Sequence, residues 1–100
     1  MNEKDFLKIY IPALEKALEN DEINTGFHVT LPIDYVPKDI SKSVEIYMDN
    51  NYDKFKVLFD MEAAYFDAKN HNFEFIDGVQ TSEYRAKLFE TIADYKRGIE

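Results

Sequence analysis

One hundred residues, 45% of them apolar and including eight Phe and seven Tyr, suffice for one domain with a modest core and exclude a disordered tail. The chain has no cysteine, which removes disulfides, thiolate metal sites and cysteine nucleophiles; with no apolar run near the ~20 residues of a membrane span and no signal-peptide pattern, the expectation is a cytoplasmic protein. Twenty Asp and Glu against twelve Lys and Arg leave a net charge of −8, which disfavours nucleic acid and anionic membranes and favours a basic partner.

Residues 3–20 read as a helix. Phe6, Tyr10, Ala13 and Ala17 form one row and Leu7, Ile11, Leu14 and Leu18 the next, giving a wide apolar face. Glu3 and Asp5 suit its positive end. Pro12 withholds an N–H from the Lys8 carbonyl, so a kink or two short helices are expected there. Glu19, Asp21 and Glu22 gather at the negative end of the helix dipole, a local conflict of the kind that sometimes marks function.

Gly26 punctuates the exit, and Phe27 to Leu31 alternates as a short strand with His28 on its polar side. Residues 32–42, PIDYVPKDISK, read as the longest irregular connection, stiffened by Pro32 and Pro37. Its apolar Ile33, Tyr35 and Val36 are expected to cover one edge of the core, with presentation of a binding loop as the sharper reading.

Ser43 to Phe66 is the stretch on which the fold turns. A two-residue turn at Asn50-Asn51 makes it a β-hairpin. That register pairs Val44 with Val57 and Ile46 with Phe55 on one face, and Glu45 with Lys56 on the other. A helical stripe through Ile40, Val44, Tyr47, Met48, Phe55, Leu58 and Phe59 competes, with Lys56 and Asp60 then pairing at i,i+4. Asparagines in mid-helix and the abundance of aromatic and β-branched residues favour the hairpin.

Asp67 to His71 reads as a turn, and Asn72 to Ile76 as a returning strand with Phe73 and Phe75 facing inward. Asp77-Gly78 closes the sheet. Thr81 then opens a helix, with Tyr84, Leu88, Phe89, Ile92 and Tyr95 as its stripe and Gly98 as its stop. The predicted architecture is one α+β domain over residues 1–100. It comprises an N-terminal helix, about four antiparallel strands as a meander, and a C-terminal helix, both helices on one sheet face.

Catalytic machinery is sparse. No serine lies in a nucleophile elbow, three glycines cannot build the usual phosphate-cradling loop, and the histidines have no ligand spacing. Asp49, Asn51, Asp53 and Asp60 match positions of a calcium loop, but Lys54 replaces its essential glycine. Asp60 and Glu62, two apart on a strand, would stand roughly 6–7 Å from each other on the solvent face, too open for acid–base catalysis. No cofactor or metal is expected. The expected function is a small acidic, non-enzymatic protein-binding module. Its sharpest form is an inhibitor that fills a partner's basic, nucleic-acid-binding site, as phage-encoded mimics do. The candidate contact residues are Glu15, Glu19, Asp21, Glu22, Asp34, Tyr35, Asp60 and Glu62. The alternative is a structural module pairing two copies through strand edges or through Leu58 and Phe66, whose side chains the hairpin leaves exposed.

Overall fold

The computed structural model describes residues 1–23 and 31–99, with the side chains of 21–23 left aside. Four helices dominate the described residues: α1 Glu3–Ile23, α2 Lys38–Asn50, α3 Lys56–Asn70 and α4 Thr81–Ile99. Short 3₁₀ turns, Pro32–Tyr35 and Tyr52–Phe55, lead into α2 and α3. The remaining regular structure is a two-stranded antiparallel ribbon, β1 Phe75–Ile76 and β2 Val79–Gln80. The expected strand over Phe27 to Leu31, with Gly26 and His28, falls almost wholly outside the described residues.

The α+β meander is therefore overturned. Asn50-Asn51 does interrupt the chain, but as a helix end. Asn51 keeps φ −123° and ψ 23° rather than a left-handed hairpin conformation. Its backbone N–H and its side-chain Nδ2 both donate to the Tyr47 carbonyl, at 3.0 and 2.9 Å, tying off carbonyls that a helix terminus leaves open. The chain then re-enters helix through Tyr52–Phe55, and Lys56 meets Asp60 at 2.6 Å in the i,i+4 pairing that belongs to the helical alternative.

Burial explains why the helix prevails. With period 3.6, Leu58, Phe59, Glu62, Tyr65 and Phe66 fall on one side of α3 and are buried, and Phe55 just before the helix is buried too. With period 2, Val57 would face the core and Leu58 the solvent. The reverse holds: Val57 is 68% exposed and Leu58 fully covered. Phe73 and Phe75, expected inward, are both exposed, while Ile76 is buried. Asp77 and Gly78 do not close a larger sheet. With φ of 50° and 80° they form the tight turn of the ribbon itself, the left-handed pair that a two-residue hairpin demands.

Both predicted rows of α1 are buried in full. The helix runs unbroken past Pro12, which lies on its exposed side, so the two-helix expectation fails. Its rows meet the stripes of α3 and α4, where Leu88 and Ile92 are fully enclosed and Tyr84, Phe89 and Tyr95 partly so. Phe6 is the hub, stacked on Tyr10 and Tyr47 with centroids 5.2 and 4.8 Å apart and tilted against Phe55 at 5.2 Å. Such ring pairs add about 0.5–1.5 kcal/mol each beyond area burial. Val36 is buried and Ile33 and Tyr35 lean on the core, as the covering role for that connection required.

Candidate functional site

The helical arrangement opens a groove. Tyr10 reaches it from α1, Leu31 and the 3₁₀ turn supply Pro32 and Ile33 beside it, and Met48 comes from α2. The α3 residues Glu62, Ala63, Phe66, Asp67 and Asn70 form the remaining wall. Its volume is about 620 Å³, within the roughly 300–1,000 Å³ typical of ligand sites. Two smaller hollows share Met48 with it and add Glu45, Asp49, Tyr52 and Phe59. Every charged-type side chain lining these spaces among the described residues is a carboxylic acid: Glu45, Asp49, Glu62 or Asp67. Apolar walls of low dielectric concentrate the negative potential of such groups.

Glu62 is the unusual member. It occupies a core position of α3, between Leu58 and Phe59 on one turn and Tyr65 and Phe66 on the next, and is 8% exposed. The Tyr10 hydroxyl donates to its Oε1. Its Oε2 is buried and has no hydrogen-bond partner among the described residues. Burial pushes the Glu62 carboxyl up to about 8, and the bond from Tyr10 draws it only part of the way back. The Tyr10 hydroxyl is itself pushed upward, first by burial and then by the neighbouring carboxylate. With Oε1 accepting from Tyr10, the neutral carboxyl carries its proton on the unpartnered oxygen.

The expected contact residues do not converge. Glu15 is half-buried and bound to Lys96 of α4 at 3.2 Å. Glu19 is exposed on α1. Asp21 and Glu22 belong to the last turn of α1, with side chains outside the description. Asp34 is exposed, and its Oδ2 accepts from the Leu31 N–H at 3.0 Å within the 3₁₀ turn. Tyr35 is half-buried against the core. Asp60 accepts from Lys56 and from the Tyr52 hydroxyl, each at 2.6 Å, and these two bonds hold its carboxyl below the usual range.

The shared solvent face of Asp60 and Glu62 is thus corrected. Two residues along a helix turn about 200°, which sends one carboxyl to water and the other to the core. Leu58 and Phe66, named as exposed contacts between copies, are both buried. Among the described residues no group of three or more His, Asp or Glu stands together as a metal site needs, and no helix is long and apolar enough to cross a membrane.

Sequence reasoning named Glu62 but missed its environment. The available signal was its place at i+4 from Leu58 and i+3 from Phe59, an acid inside an apolar stripe. Tyr10 and the groove went unnoticed because their meeting depends on how α1 packs on α3. Comparison with protein-family models, curated proteins and solved structures returns no significant match.

Proposed function

We propose that this chain is a non-enzymatic protein-binding module that receives a basic, apolar-flanked segment of a partner protein in the groove between α2 and α3. The observation that carries the reading is that, among the described residues, the charged side chains bordering the groove and its side hollows, Glu45, Asp49 and Asp67, are all acidic and stand over apolar walls. Carboxylates steer a cationic segment in, and Met48, Ile33 and Phe66 offer the contact that holds it. An inhibitor that covers a partner's basic, nucleic-acid-binding surface is the sharpest form of this function. A reducing compartment such as the cytoplasm suits a chain without cysteine. Catalysis is disfavoured because Asp60 and Glu62 point apart and, among the described residues, no nucleophile–base pair accompanies them.

Two amphipathic peptides of equal length test it, one placing Lys and Leu at helical 3.6-residue spacing and one placing Glu and Leu in the same pattern. The basic peptide should shift the NMR signals of Met48, Ala63 and Phe66 and weaken as salt rises. Equal binding of both peptides, or binding indifferent to salt, would sink the reading.

A further inference from the structure

We infer that Glu62 is the acceptor for a primary ammonium group on an apolar stem, such as a lysine side chain, entering the groove from solvent. The inference deepens the docking function proposed above and rests on the same groove. A buried polar atom without a partner is rare in a folded protein and calls for an explanation; among the described residues Oε2 of Glu62 is such an atom, and its residue lines the groove wall. Oε2 itself has almost no accessible surface. The terminal torsion of a glutamate is soft, so a modest turn presents the carboxyl while Tyr10 holds it.

A cation is favoured over a neutral donor because no positive side chain competes in the described lining. Among the described residues the Tyr10 hydroxyl of α1 bonds Glu62, while Asp49 of α2, Tyr52 and Asp67 of α3 line the same spaces without a contact to its carboxyl, the Tyr52 hydroxyl being turned to Asp60. A nearby ammonium stabilises the ionised carboxyl, so its arrival releases the proton that burial keeps there near neutrality. Affinity then rises with pH, by at most about tenfold per pH unit, and levels off above the free carboxyl's own titration.

The test titrates the full chain with n-hexylammonium, n-hexanol and n-hexanoate between pH 6 and 8. Signals of Ala63 and Phe66 report occupancy, and calorimetry in two buffers of different ionisation heat reports proton release. Hexylammonium should bind at least tenfold more tightly than hexanol, tighten as pH rises and release up to one proton. Glu62→Gln, an isostere that keeps the fold, should remove both the preference and the proton. Equal binding of hexylammonium and hexanol, or an unchanged response in Glu62→Gln, overturns the inference. If the basic peptide docks while hexylammonium ignores Glu62, this inference fails and the docking function stands. If hexylammonium binds through Glu62 and the peptide does not dock, the reverse holds.

Discussion

Asp60 and Glu62 lie two residues apart on one helix and behave as opposites. Asp60 sits in water, accepts from Lys56 and Tyr52, and is held below the ordinary carboxyl range. Glu62 sits in the core, has one tyrosine bond and is pushed up to about 8. The same functional group, moved by half a helical turn, changes from a surface charge into a buried acid that keeps its proton near neutrality. What separates them is the phase of α3 relative to the core, so the contrast can be broken by disturbing the phase or sharpened by titrating each member.

The largest effect tests the phase. Leu58→Ala should cost about 2–5 kcal/mol of stability, whereas Val57→Ala should stay within about 0.5 kcal/mol, by chemical denaturation. A strand would reverse that ranking. The next effect follows from linkage. The folded-state value of Glu62 lies above its unfolded 4.5, so its contribution is fully present below pH 4.5 and is lost as pH rises toward about 8. At about 1.4 kcal/mol for each pH unit in that window, the fall amounts to a few kcal/mol. Glu62→Gln should flatten this slope, matching the wild type near pH 4.5 and exceeding it above pH 8.

Tyr10→Phe should cost about 1–3 kcal/mol, because it leaves the second oxygen of a buried carboxyl unpaired. It should also move the Glu62 titration further up, readable by carboxyl NMR. Gly78→Ala should cost about 1 kcal/mol, since the space is open and the strain comes from φ +80° alone. Asp60→Asn should be smallest. Its exposed carboxylate has a depressed value, so its contribution is present above the unfolded 3.8 and lost as pH falls below it. Added salt should erase most of it.

The ends of the chain were legible and the middle was not. Phe6 to Leu18 and Tyr84 to Tyr95 place apolar residues at helical spacing with charges between them, so one period fits and the other does not. From Val44 to Phe66, aromatic and β-branched residues are dense enough to satisfy both periods, and the choice passed to the turn. Asn50-Asn51 reads as a hairpin turn when a helix C-terminus welcomes asparagine equally well. Asp77-Gly78 carried the stronger hairpin signal and does form one, only two residues long on each side. The groove was hidden for a different reason: it exists between elements, where local pattern has nothing to say.

The proton on Glu62 gives the molecule a label of its own. A carboxylic acid and a carboxylate absorb at separate infrared frequencies, and an acid sealed from water gives a narrow C=O band. That band should vanish when an ammonium draws the proton away, and merely shift when an uncharged guest alters its surroundings. Occupancy of the groove, and the charge of whatever occupies it, can then be read from unmodified protein in solution.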